Sequence, residues 1–315
     1  MEKDRIMGGL LGVIVGDALG LPVQFIPRIE RKKKPVTGME GWGAFDMPPG
    51  SFSDDGSLTL CLAESIYEVG FNAEDAGKRF LRWYDEGYWT PAGYAYDIGS
   101  ATMSAMENMK DGVPALEAGP KTEYDNGNGS LMRILPAVFY LAAEDPAVIA
   151  KGIWEMSSIT HGHPRACSAC YIYALLGREL LDGLRPLEAY RALCSLPEEI
   201  LQFGIANEEK KHFGRILDGK LEHLGEREIW SGGYVVDTLE AAMWCLLNSD
   251  NFASTVLTAV NLGYDTDTAA AVAGGLAGIV YGMSGIPAQW IEVLAKRDEI
   301  LSLADSFSEK LIQRS

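Results

Sequence analysis

Residues 265–281, Asp265-Thr-Asp-Thr-Ala-Ala-Ala-Val-Ala-Gly-Gly-Leu-Ala-Gly-Ile-Val-Tyr281, form an apolar stretch in which most side chains are small. The composition and spacing predict a helix over residues 266–281. Each internal glycine costs a helix roughly 0.5–1 kcal/mol relative to alanine, so close packing must offset that cost. We therefore expect a central helix that lies close to a neighbour and holds its first residues rigidly.

The same helical spacing recurs along the chain. In residues 57–70, for example, Leu58, Leu62 and Ile66 fall on one stripe. Further helices are predicted at residues 97–109, 130–143, 164–184, 187–196, 235–247, 253–262 and 288–294. Strand-like alternation is rare, and no linker rich in Pro, Gly or Ser divides the chain. The sequence therefore predicts an all-α protein with one domain over residues 1–315.

The charge balance restricts the partners. The 315 residues include 27 Lys and Arg but 44 Asp and Glu, a net charge of -17. This charge opposes general binding to a nucleic-acid backbone. An acidic protein that binds an anionic ligand must neutralise charge locally, with a bound cation, a helix N-terminus or a well-placed Arg.

The sequence also bears on location. The apolar start is interrupted by Asp17 and is followed by no small-residue cleavage site, so we expect no signal peptide. No apolar run approaches the ~20 residues that span a bilayer, and we expect no membrane partner. The five cysteines are scattered through apolar helical segments, as is usual for reduced thiols. We expect a cytoplasmic protein.

Two short segments place carboxylates at the start of a predicted helix. They are Ser53-Asp54-Asp55 and Asp265-Thr-Asp267-Thr268. Helix capping explains either segment taken singly, because Ser, Asp and Thr are preferred caps. If the two segments face each other, however, four carboxylates share a small volume and require a cation. Ligands that are all oxygen suit Mg²⁺, Mn²⁺ or Ca²⁺, and two such ions can bridge in hydrolases.

Three other features are candidates for ligand binding. Gly127-Asn-Gly-Ser130 reads as a glycine-rich loop before a helix, which offers backbone N–H groups to a diphosphate or forms an ordinary turn. His161 is a candidate because histidine as a residue type titrates near neutrality, although histidines at a helix start more often cap or pack. Asp17 is an acid within an apolar helix and therefore needs a partner or a site.

Six segments, in order, resemble the ADP-ribosylglycohydrolase family of the dinitrogenase-reductase-activating type. The resemblance covers nearly the whole chain. The segments are Gly9-Leu-Leu-Gly-Val-Ile-Val-Gly-Asp17-Ala-Leu-Gly-Leu-Pro22, Ser53-Asp-Asp55, Gly127-Asn-Gly-Ser-Leu-Met-Arg133, Thr160-His161, Gly233-Tyr-Val-Val-Asp-Thr-Leu-Glu-Ala241 and Gly263-Tyr-Asp-Thr-Asp-Thr-Ala-Ala270. Each segment is weak alone, but the ordered set is specific.

The resemblance implies an orthogonal multi-helix bundle with a central binuclear site for two divalent cations, Mg²⁺ or Mn²⁺. It implies hydrolysis of the glycosidic bond between ADP-ribose and an acceptor, on a protein or a small conjugate, with arginine-linked ADP-ribose favoured. The implied metal ligands are Ser53, Asp54, Asp55, Asp265, Asp267 and Thr268. Asp54 or Asp55 is the candidate for proton transfer. The implied substrate-binding residues are Asp17, Gly127, Asn128, Gly129, Ser130 and His161.

Two positions depart from the family pattern. Gly56 stands where many relatives have Thr. Gln24 stands where several relatives have Glu, and the absence of this Glu disfavours a serine-directed activity. These departures motivate a second hypothesis, a non-catalytic ADP-ribose-binding or structural member of the family. A metal-dependent phosphohydrolase is a weaker third hypothesis, because two-metal sites often serve phosphoryl transfer.

Overall fold

Residues 2–314, which the computed structural model describes, form seventeen α-helices joined by turns and short 3₁₀ segments, with no β-strand. The predicted all-α class is confirmed. The helices are α1 (Lys3–Gly20), α2 (Arg28–Lys33), α3 (Asp54–Val69), α4 (Ala73–Glu86), α5 (Ser100–Lys110), α6 (Ala115–Ala118), α7 (Leu135–Leu141), α8 (Pro146–Ser158), α9 (Pro164–Leu181), α10 (Pro186–Cys194), α11 (Glu198–Leu201), α12 (Gly214–Leu217), α13 (Val235–Leu247), α14 (Phe252–Asn261), α15 (Thr266–Tyr281), α16 (Ala288–Glu292) and α17 (Arg297–Arg314).

Helices α1 and α15 form the centre of the bundle and pack along their whole lengths. Small residues make this approach possible. A Cβ on Gly12 would lie 2.1 Å from the Gly274 carbonyl oxygen, and a Cβ on Gly278 would lie 1.9 Å from that of Gly8. Almost every residue of α15 is buried. The predicted central helix with a close neighbour is therefore present, and the neighbour is α1.

We expect Gly12→Ala to destabilise the protein by about 1–3 kcal/mol, because the new methyl group forces the two central helices apart. Urea denaturation measures the change in the free energy of unfolding. Gly214→Ala is the matched control, since Gly214 is helical and no atom lies within 4 Å of the position of its Cβ. Equal stability of the two variants would contradict the close-packing argument.

The predicted helix boundaries fail where a local feature overrides periodicity. Two helices, α13 and α15, match the predicted bounds, but the helix expected at 130–143 begins at Leu135. Pro136 explains this, because proline lacks an N–H and fits only the first helical turn. The helix expected from residue 97 begins at Ser100, since Asp97 has a φ of 56°. The helices that were not predicted are α2, α4, α6, α8, α11, α12 and α17.

One prediction about membrane-spanning segments is wrong. The segment Lys3–Val23, with a mean hydropathy of 1.9, is long and apolar enough to cross a bilayer. In this structure 89% of its most apolar window is buried inside the protein, where it packs against α15 and α3. Core helices pass the same test of length and composition, so the segment is weak support for a membrane location.

Candidate active site

The two acidic segments meet where α3 and α15 begin. The Thr268 hydroxyl donates to Asp55 Oδ2 over 3.4 Å, which joins the first turns of the two helices. One carboxylate oxygen from each of Asp17, Asp55 and Asp267 lies within 4.8 Å of the others. The rigid contact between α1 and α15 brings Asp17 into this group. The spacing of the acidic segments left open whether they face each other, the family resemblance implied that they do, and the structure brings them together.

Helix capping accounts for only part of these segments. The Ser53 hydroxyl caps α3 by accepting the Asp55 N–H. Asp17 accepts the backbone N–H groups of Ser53 and Gly56, each at 2.8 Å, and so braces the same helix start. Asp265 stands at the N-cap position of α15 but makes no side-chain capping hydrogen bond. Carboxylate oxygens therefore remain for another purpose.

Two of these oxygens are buried without a hydrogen-bond partner in the described part of the chain, namely Asp55 Oδ1 and Asp267 Oδ2. Desolvation raises the pKa of both carboxyl groups well above the usual range, and repulsion between neighbouring acids adds to it. Desolvation likewise raises the pKa of Asp17 to about 7. Carboxylates this close remain ionised together only beside a cation. The oxygen-only donor set fits a hard divalent ion.

A cavity of about 310 Å³ opens above the acidic cluster. Seven of the predicted site residues line it: Asp54, Gly127, Asn128, Gly129, His161, Asp265 and Thr268. Ser53, Asp55, Asp267 and Asp17 lie beneath it and are almost fully buried. Ser130 follows these loop residues but does not line the cavity, and its buried hydroxyl accepts a hydrogen bond from Ser157 at 2.8 Å. The cavity thus combines a carboxylate floor with a glycine-rich wall.

The glycine-rich loop is hydrogen-bonded directly to the acidic cluster. The Asn128 amide donates to Asp265 Oδ2 at 2.6 Å and to the Thr238 hydroxyl at 2.9 Å, while its backbone N–H donates to the Gly233 carbonyl. The residues after the loop form turns instead of a helix, so no helix N-terminus points at the cavity from Ser130. Any anion bound here is held by local backbone and side-chain donors.

Asp97 is a cavity residue that sequence reasoning missed. It was assigned to the start of a helix, but its left-handed backbone turns it into the site. Desolvation raises the pKa of its carboxyl group, and a hydrogen bond shared with Asp267 opposes that rise. The available signal was its place at the end of the irregular, aromatic-rich segment between α4 and α5.

The two departures from the family pattern leave the acidic cluster intact. A Cβ on Gly56 would lie 2.7 Å from the Phe52 ring and 3.1 Å from Asp17 Oδ2, so a larger residue does not fit here. Gln24 lines the cavity and donates to Asp265 Oδ1 at 3.3 Å. Its Oε1 is buried without a hydrogen-bond partner among residues 2–314.

A second group of possible metal ligands, Glu123, His163 and Glu209, already has an arginine between its two carboxylates. Arg165 forms ion pairs with Glu123 at 2.8 Å and with Glu209 at 2.6 Å. The His163 Nδ1 atom accepts the Arg165 backbone N–H. Arg165 offsets one of the two carboxylate charges, and these contacts fix the segment that carries Glu123.

The fold and the site together define an all-helical protein whose cavity ends on a buried carboxylate cluster. The whole chain, residues 1–315, matches the model of the ADP-ribosylglycohydrolase family. The chain therefore belongs to this family, as its sequence motifs indicated.

Known proteins agree with this membership. The chain is 35% identical to the ADP-ribosylarginine hydrolase Tri1 of Pseudomonas putida (strain GB-1), over 98% of this chain and 79% of that protein. It is 30% identical to the ADP-ribosyl-[dinitrogen reductase] glycohydrolase of Rhodospirillum rubrum, over 94% and 92%. A solved structure described as an ADP-ribosylglycohydrolase-related protein complex superposes with a TM-score of 0.80 at 34% identity, covering 98% of each chain.

Proposed function

We propose that this enzyme hydrolyses the N-glycosidic bond between ADP-ribose and an arginine side chain of a protein, using two divalent cations, Mg²⁺ or Mn²⁺. The observation that carries the proposal is the pair of buried, unpartnered oxygens, Asp55 Oδ1 and Asp267 Oδ2, beneath a cavity of ligand size. The relatives named for ADP-ribosylarginine and ADP-ribosyl-dinitrogen-reductase substrates support the arginine linkage.

The cations would be held by the side chains of the two acidic segments. When bound, such cations supply Lewis-acid stabilisation of negative charge and favour the ionisation of water. They also reduce the repulsion between an ADP-ribose diphosphate and a protein whose net charge is -17. The predicted holders are Ser53, Asp54, Asp55, Asp265, Asp267 and Thr268.

The residues that line the cavity supply the groups for proton transfer and for binding ADP-ribose. Of the two carboxylates predicted to transfer a proton, Asp54 lines the cavity and Asp55 lies beneath it. Asp97 also faces the cavity, and desolvation raises the pKa of its carboxyl group, which is the direction that a proton donor requires. Departure of the acceptor from an oxocarbenium-like sugar requires such a donor. The glycine-rich wall and His161 bind the ADP-ribose part.

The proposal includes a cytoplasmic location. All five cysteines are unpaired, and four of them are buried. This usage is typical of a reducing compartment. Expression with a fluorescent tag and fractionation measures the location.

The decisive assay measures free ADP-ribose released from a protein ADP-ribosylated on arginine, with Mg²⁺, with Mn²⁺ and with EDTA. A serine-linked conjugate tests the linkage. We expect metal-dependent release from the arginine conjugate only. Release unaffected by EDTA would overturn the metal requirement, and preference for the serine conjugate would overturn the linkage.

A further inference from the structure

Arg133 is a fully buried guanidinium that does not line the cavity. It lies over the Phe80 ring, with the guanidinium carbon 4.5 Å from the ring centroid. Its Nη2 donates to the Met156 carbonyl at 3.1 Å and to the Thr160 hydroxyl at 2.7 Å. Nε and Nη1 have no hydrogen-bond partner within residues 2–314. A buried positive charge without a carboxylate partner is costly, so its place near the cavity calls for an explanation.

The hydrogen bond from Arg133 to Thr160 determines the direction of the hydrogen bond between Thr160 and His161. Thr160 is fully buried, and its oxygen accepts from Arg133. The other neighbour of this hydroxyl in the described structure is His161 Nδ1, at 2.9 Å. A buried hydroxyl proton needs an acceptor, and the nearby ring nitrogen is the group placed to accept it. His161 Nδ1 is therefore unprotonated, which leaves the ring proton of a neutral imidazole on Nε2.

The environment also keeps the ring neutral. Burial, together with a smaller contribution from the Arg133 charge, lowers the pKa of His161 to about 3, while Asp125 acts in the opposite direction. Nε2 faces the glycine-rich wall and lies 3.3 Å from the position of a Cβ on Gly129. The buried Thr102 hydroxyl, which has no partner among the described residues, lies 3.2 Å from the same position. Because Gly129 has no Cβ, there is room for a ligand atom between His161 Nε2 and the Thr102 hydroxyl.

We propose that Arg133 and Thr160 are positioning residues that hold His161 as a neutral Nε2–H donor facing the cavity. A donor in this state selects a ligand oxygen that can only accept, such as a phosphoryl oxygen of ADP-ribose. The opposite tautomer would present a lone pair and repel that oxygen. The choice of ligand atom rests on the proposed function, whereas the tautomer follows from the protein alone.

The test uses the full-length protein with ¹⁵N-labelled histidine and detects ring protonation by NMR. His161 is assigned by comparison with the spectrum of His161→Asn. We expect Nε2 protonated and Nδ1 unprotonated across the neutral pH range, without ligand. In Thr160→Val the ring should populate both tautomers, and the Kd for ADP-ribose should rise about tenfold. Thr160→Ser, which retains the hydroxyl, should restore the tautomer and the affinity.

A wild-type spectrum with Nδ1 protonated overturns the inference, and this result needs no variant to fold. Unchanged tautomer and affinity in Thr160→Val also overturn it. The NMR spectra do not depend on turnover. Failure of the inference about His161 can therefore be distinguished from failure of the proposed function. A protein that shows the expected tautomer and ADP-ribose effect but hydrolyses no arginine conjugate supports this inference and overturns only the proposed activity.

Discussion

Replacing Asp267 by asparagine is expected to lower kcat/KM for arginine-linked ADP-ribose about a thousandfold. The substitution keeps the side-chain size and the Oδ1 atom that accepts the Thr268 N–H, but it removes the charge from the buried, unpartnered side of the group. A loss of ~4 kcal/mol of transition-state stabilisation corresponds to three factors of ten, and bound metal ions supply several kcal/mol in hydrolases. Steady-state kinetics with saturating Mg²⁺ or Mn²⁺ measures the effect.

Asp250→Asn is the control for this prediction, because it removes one negative charge from an exposed position outside the cavity. Circular dichroism confirms that both variants are folded. If Asp267→Asn retains a tenth or more of the wild-type activity, the acidic cluster is not the catalytic centre.

Without divalent ions, the protein is expected to lose stability as the pH rises through the range from about 4 to about 7. Folding raises the pKa of Asp17 from 3.8 to about 7, and it raises those of Asp54, Asp55 and Asp267 in the same direction. The folded protein therefore binds more protons than the unfolded chain in this range. The free energy of unfolding then falls with increasing pH until the groups are ionised in both states.

Thermal denaturation in EDTA across this pH range measures the effect. We expect Tm to fall by roughly 5 °C or more towards neutral pH, and Mg²⁺ or Mn²⁺ to reverse the fall. Asp267→Asn, which carries one buried charge fewer, should show a smaller pH dependence and a smaller response to the cations. A Tm that rises with pH in EDTA would contradict this account of the cluster.

The sequence was most informative where several residues share one physical requirement. Small residues repeated through α15 indicated close helix packing, and α1 meets them with Gly8 and Gly12. Surplus carboxylates at two helix starts indicated a metal site on the condition that the two starts meet. The bounds of α13 and α15 were also predicted as the structure has them, because each helix is strongly apolar and follows a clear break.

Features that depend on the backbone conformation of one residue, or on contacts between distant segments, could not be predicted from the sequence. Asp97 enters the cavity through a positive φ, which ordinary propensities assign to glycine. Arg133 was placed within a helix, although Pro136 already marked a later start. Its partners, Met156 and Thr160, come from a segment whose helix was not predicted. No local pattern indicates such pairings.

The glycine-lined contact between α1 and α15 also has a consequence for biosynthesis. The two helices are separated by about 245 residues along the chain, so the ribosome completes α15 roughly 12–50 s after α1 at ordinary elongation rates. During this interval an unusually apolar helix lacks its partner. The apolar surface of α1 must therefore be covered in the nascent chain, by packing against α3 or by binding a chaperone. The contact between α1 and α15 forms only late in translation.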